Sequence, residues 1–143
     1  GKACELCKEN LDSEMEKHIR FREKMLNEFL KLDNVTLNGH RTERLPNNIN
    51  LSIAYTESDG IIAGLKDIAV STGSACSSAS ASPSHVISAI GLNNEIPRAI
   101  LRISFGRFTT EEEIDYTINK LIETINELRE KSQVYKMAKE GII

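Results

Sequence analysis

A stripe of mostly apolar positions runs Cys4, Cys7, Leu11, Met15, His18, Met25, Phe29 and Leu32, mostly at steps of three and four, with Lys, Glu and Arg filling the surface between. That spacing predicts one long amphipathic helix. The period then drops to two. Val35-Thr36-Leu37 predicts a short strand that ends in a turn at Asn38-Gly39. Ile49, Leu51, Ile53 and Tyr55 alternate with Asn50, Ser52 and Ala54, as a half-buried strand does. A short helix is expected from Ser58 to Asp67, and Ile68-Ala69-Val70 is expected to be a buried strand feeding a serine-rich stretch. Ser82-Pro83-Ser84 predicts a helix start, with Ser82 as N-cap, Pro83 in the first turn, and Gly91 closing a helix that contains Val86, Ile87 and Ile90. Leu101, Ile103 and Phe105 alternate again, which puts Ile100, Arg102 and Ser104 on the opposite face. Thr110 and Glu113 have the spacing of a capping box, and Glu111 and Glu112 suit the positive end of a helix dipole. Ile114, Ile118, Leu121, Ile125 and Leu128 mark the buried face of that second long helix, and the tail from Ser132 to Ile143 reads as a further short one. No internal repeat is present. Helices mixed with a small, largely antiparallel sheet predict an α+β sandwich.

Composition adds bounds. The 143 residues, 40% hydrophobic and 27% charged, suit one domain with a real core. A net charge of −3 gives no electrostatic footprint for nucleic acid or anionic lipid. Neither a signal peptide nor an apolar run long enough to cross a bilayer is present, so a cytoplasmic protein is expected. Three cysteines fit reduced thiols better than a disulfide framework, which would leave one over. The chain opens on Gly1 and reads at once as helix, and is expected to be cut from something longer.

Cys4 and Cys7 form a C-x-x-C pair. No second pair follows to complete a zinc site, and no strand precedes it as a thioredoxin-like motif would need. Both continue the apolar stripe, so packed thiols on a helix face are expected. His18 lies on the same stripe and reads as a core or boundary residue. His40 in a polar loop and His85 at a helix start have no evident acidic partner. Cys76 differs. It stands in STGSACSSASASPS, residues 71–84, where no large side chain can bury it, so solvent and partners reach the thiol. Six extended residues on either side permit an excursion of about 20 Å. Those are the properties of a carrier that collects a group on sulfur in one place and delivers it in another. Arg102 sits mid-strand facing away from the apolar row. Its planar fork suits a carboxylate, held bidentately, or equally a cross-strand ion pair. Arg107, after Gly106 and close to the next helix start, is open between a structural role and that of next candidate for the carboxylate clamp after Arg102.

The segments LKDIAVS (65–71), VSTGSACSSAS (70–80), AIGLNNE (89–95) and LRISFGRFTTEEEIDYTI (101–118) resemble the C-terminal region of cysteine desulfurases, in the long-loop group that serves iron–sulfur cluster assembly. The resemblance runs over nearly the whole chain. Ser77 stands where threonine is frequent and Thr72 where serine is common, departures that leave the chemistry undisturbed. It implies the small C-terminal domain of the aspartate-aminotransferase (fold type I) architecture over residues 1–143, with 1–32 as a connecting helix and 71–84 as a mobile loop. It implies dimeric enzymes that use pyridoxal phosphate to take sulfur from L-cysteine, leaving L-alanine and a persulfide. By residue, it makes Cys76 the persulfide-forming nucleophile and Arg102 the ligand of the substrate carboxylate. Cys76 is also a candidate transient iron–sulfur ligand shared with a scaffold protein, the expected sulfur acceptor.

The family's Schiff-base lysine follows a histidine in a large domain, and no His-Lys pair occurs here. This chain is therefore expected to lack the cofactor-binding domain, to hold no cofactor and no metal, and to be inactive alone. Two rivals stand beside this reading. One is a thiol-based redox or metal-binding module built from Cys4, Cys7 and Cys76. The other is a non-catalytic interaction domain whose long helices dock a partner.

Overall fold

The computed structural model describes residues 1–72, 89 and 98–142. Cys76, His85, the Ser82-Pro83 helix start, Gly91 and all but the first two residues of the 71–84 stretch lie outside the described residues. Helix α1 spans Lys2–Phe29 as its periodicity requires. Its core-facing side chains begin only at His18, and Phe21, Met25, Leu26 and Phe29 are at most 1% exposed. Strands β1 (Val35–Leu37), β2 (Asn48–Ala54) and β3 (Arg98–Ser104) form an antiparallel sheet in the order β1-β2-β3. Ile49, Leu51, Ile53, Leu101 and Ile103 point into the core from that sheet. Their burial stabilises each by roughly 1.5–3 kcal/mol relative to exposure.

Helix α2 (Ser58–Gly64) packs against β3 and a second long helix, α3 (Glu111–Lys131), which is followed by α4 (Gln133–Lys139). The capping box forms: Thr110 Oγ1 accepts from Glu113 N at 3.2 Å and Glu113 Oε2 accepts from Thr110 N at 2.9 Å. Glu112, in that first turn, is held below the usual carboxylate range by the backbone N–H it accepts from and by Thr110. Ile114, Ile118, Leu121 and Ile125 bury against the same core as α1. Lys24 ties the two long helices together through Glu111 at 3.0 Å and Asp115 at 2.6 Å. Gly64 permits the close approach of α2 to α3, since a Cβ there would fall 2.3 Å from Thr124 Cγ2. Helices on one face of a small antiparallel sheet give the expected α+β architecture.

Four local expectations are corrected. Helix α2 stops at Gly64 rather than reaching Asp67, because Leu65 leaves the helix to bury itself, 3% exposed, in the core. Ile68-Ala69-Val70 is not a strand: Ile68 and Val70 pack on the core, but ladder pairing starts only at Ser71. Tyr55 does not continue β2 and sits at φ 63, left-handed backbone costing about 1–2 kcal/mol for such a residue. Around it, Arg129 Nη2 donates to Ala54 O at 3.1 Å, Thr56 Oγ1 to Ile53 O at 2.8 Å, and the Tyr55 ring packs on Tyr135 at 5.5 Å. Finally, Cys4 and Cys7 are exposed, not packed. They do share the stripe of His18, Met25 and Phe29, but no described element covers α1 before His18, and Leu11 and Met15 are exposed as well.

Candidate functional site

Arg102 occupies the fifth position of β3, between buried Leu101 and Ile103, so the two-residue period turns its side chain to the outer face of the sheet. Its backbone is gripped from both sides. Toward β2 it is in register with Asn50. Toward the other edge it exchanges two hydrogen bonds with Ser71: Ser71 N donates to Arg102 O at 3.1 Å, and Arg102 N donates to Ser71 O at 2.6 Å. The guanidinium is exposed, and its Nη2 donates to Ser71 Oγ at a long 3.3 Å. No carboxylate pairs with it among the described residues, so the cross-strand ion pair is not formed there.

The outer face around Arg102 is polar. Asn48 Nδ2 donates to Ser104 Oγ at 3.0 Å, and Asn38 Nδ2 to Asn50 Oδ1 at 2.7 Å. Ser52 Oγ donates to Asn38 Oδ1 at 2.9 Å. Arg44 Nη2 donates to Asn38 O at 3.0 Å, while burial, and then the charges of Arg22 and Arg41, push that guanidinium below its ordinary value. Sequence periodicity marked the polar positions of β2 but missed this network. Asn38 and Arg44 lie in or beside a turn, where no period announces a contact.

The other candidates fall elsewhere. Arg107 pairs with Glu14 and accepts from Lys17 Nζ at its carbonyl, 2.9 Å, which makes it the strut joining the β3–α3 connection to α1. His18 is a boundary residue as expected, 8% exposed and edge-on to Phe105 at 5.7 Å, with Nε2 unpartnered. His40 Nδ1 accepts from Glu43 N at 2.9 Å within its own loop. Among the described residues no group of three His, Cys, Asp or Glu side chains is placed to hold a metal, and no helix is long and apolar enough to cross a membrane.

A three-stranded antiparallel sheet under two long helices, with an exposed arginine beside the root of a serine-rich stretch, matches a known group. The Aminotransferase class-V family profile covers residues 1–117, and the chain belongs to that family. Within it, the chain is similar to proteins named cysteine desulfurase IscS. It is 44% identical to that of Vibrio atlanticus (strain LGP32) and 43% identical to that of Pseudomonas aeruginosa (strain LESB58), each over 142 residues. Both matches cover 99% of this chain but 35% of the relative, so the chain spans about a third of the length of these curated relatives. Among solved structures, the NifS-like protein from Rickettsia africae ESF-5 superposes with a TM-score of 0.71 at 24% identity, over 85% of this chain and 31% of that one. A second NifS-like protein gives 0.71 at 25% identity, over 87% and 31%. The fold-type I assignment agrees with these neighbours.

Proposed function

We propose that residues 1–143 form the small C-terminal domain of a cysteine desulfurase, and that this domain supplies the sulfur acceptor, Cys76, and the substrate clamp, Arg102. The observation that carries the reading is the bridge between Ser71 and Arg102. Only four residues separate Ser71 from Cys76, so the chain itself keeps the Cys76 Cα within about 17 Å of that of a residue hydrogen-bonded to the arginine. An exposed guanidinium fork with no carboxylate partner among the described residues, beside the root of a thiol-bearing segment, suits a small zwitterionic thiol such as L-cysteine. In the overall reaction, the Cβ–S bond of L-cysteine breaks, an S–S bond forms on Cys76, and the thiol hydrogen passes to the substrate carbon. L-Alanine and a persulfide result, with no external oxidant or reductant. The persulfide sulfur is then open to attack by an acceptor, here an iron–sulfur scaffold protein.

Pyridoxal phosphate, the cofactor of this class, does not fit the described residues. An imine-forming lysine must be an uncharged amine in a desolvated pocket. None of the described lysines is buried, and Lys24 and Lys120 are held above their ordinary value by hydrogen bonds to Asp115, Glu111 and Glu123. The cofactor belongs to a further domain, and the isolated chain is expected to turn nothing over. The exposed stripe of Cys4, Cys7, Leu11 and Met15 supports reading α1 as the helix connecting to that domain. In the full-length enzyme, Cys76→Ala is expected to abolish persulfide formation while L-cysteine still binds. Persulfide formation undiminished in that variant contradicts the proposal.

A further inference from the structure

The next inference rests on the reading of Arg102 as the carboxylate clamp. Antiparallel register sets Asn50 directly across from Arg102. Such partners have Cβ atoms about 4.5–5.5 Å apart on one face of the sheet. Asn50 alternates with fully buried Ile49 and Leu51 just as Arg102 alternates with Leu101 and Ile103, so the two side chains rise together from the outer face.

The amide of Asn50 is not free to turn. Its Oδ1 accepts from Asn38 Nδ2 at 2.7 Å, and Asn38 is itself pinned at every polar group. Asn38 Oδ1 accepts from Ser52 Oγ at 2.9 Å, Asn38 N donates to Asn50 O at 2.8 Å, and Asn38 O accepts from Arg44 Nη2 at 3.0 Å. Asn38 is 6% exposed and Ser52 2%, so this network is locked in place from below. With its oxygen engaged, Asn50 has only its Nδ2 donors to offer, and these have no acceptor among the described residues. A buried network ending in a donor with no acceptor, beside a guanidinium with no carboxylate partner, both among the described residues, is more than the sheet needs to hold together.

We propose that Asn50 is a second donor to the substrate carboxylate. Asn38 serves as the positioning residue that fixes which end of the amide faces it. A carboxylate has about four lone-pair sites, enough for the arginine fork and one amide N–H together. The amide adds no charge, so it sharpens orientation and selects planar, bidentate anions such as an α-carboxylate.

The test uses the full-length enzyme and Asn50→Asp. This variant keeps the shape and the oxygen that accepts from Asn38 but also sets a carboxylate across from Arg102. Asn50→Ala, which removes the donor and adds no charge, is therefore measured beside it and must itself raise KM by at least about threefold. In Asn50→Asp, a substrate-facing asparagine would be replaced by a repelling charge. KM for L-cysteine is expected to rise by about tenfold or more, with kcat changed by no more than about threefold, and the inhibition constant of L-alanine should rise in parallel. KM within about twofold of the parent, in an enzyme where Arg102→Lys does raise it, overturns the role of Asn50 alone. If Arg102→Lys also leaves KM unmoved, the carboxylate clamp itself fails and Asn50 falls with it.

Discussion

The two faces of one small sheet differ in what they are for. On the inner face, Ile49, Leu51, Ile53 and Leu101 are fully buried and Ile103 nearly so, in one cluster with α1 and α3. On the outer face, Asn48, Asn50, Arg102 and Ser104 are polar and partly or fully exposed, with Asn48 hydrogen-bonded to Ser104, Asn50 to Asn38 and Arg102 to Ser71. Neighbours in sequence thus belong to different problems. Leu101 contributes packing, and Arg102, one residue on, is the proposed substrate clamp. A strand's period of two lets a short β3 carry both without compromise, because neither face has to accommodate the other's chemistry.

That separation can be broken in order of expected effect. Leu101→Ala leaves a cavity in a fully buried position and should destabilise the fold by about 3–4 kcal/mol in urea unfolding. A loss below about 1 kcal/mol would mean the inner face is not a packed core. Arg102→Lys, next door, should leave unfolding almost unchanged. In the full-length enzyme it should cut kcat/KM for L-cysteine about ten- to a hundredfold, or roughly 1.5–3 kcal/mol, since an ammonium lacks the fork. Thr110→Ala removes the oxygen that caps α3 and should cost about 1 kcal/mol, with no change in kinetic constants. Met15→Ala, at a position 43% exposed, should cost this chain no more than about 0.5 kcal/mol, whereas Met25→Ala on the same stripe should cost about 2–4 kcal/mol.

The last pair shows what a sequence pattern can and does not carry. The stripe from Cys4 to Leu32 gave the helix and its apolar side correctly. Periodicity reports which residues share a face, though, and not whether anything lies over it. Cys4, Cys7, Leu11 and Met15 share the face and have no described cover, so Cys4 and Cys7 are exposed where packing was expected. The same limit explains the outer face of the sheet. Alternation in β2 and β3 was plain, and it turned Arg102 away from the core. The register that sets Asn50 opposite Arg102, and the bridge that brings Ser71 beside it, are tertiary facts with no local signal. Ile68-Ala69-Val70 had strand propensity, but among the described residues pairing of this segment with β3 is realised only at Ser71. Tyr55 continued an apolar alternation that the backbone ends by entering left-handed space, held by Arg129 from 75 residues away. Thr110 and Glu113 were legible because a capping box is wholly local.

The central claim, that this chain contributes the sulfur acceptor, is tested most directly by mass analysis of the peptides of the full-length enzyme after one turnover with isotopically labelled L-cysteine, without reductant. The expected result is one labelled sulfur on the peptide that contains Cys76, in amount equal to the L-alanine released, and none in Cys76→Ala. Labelled sulfur on Cys4 or Cys7 in place of Cys76, or L-alanine released with no sulfur retained on this chain, would contradict it.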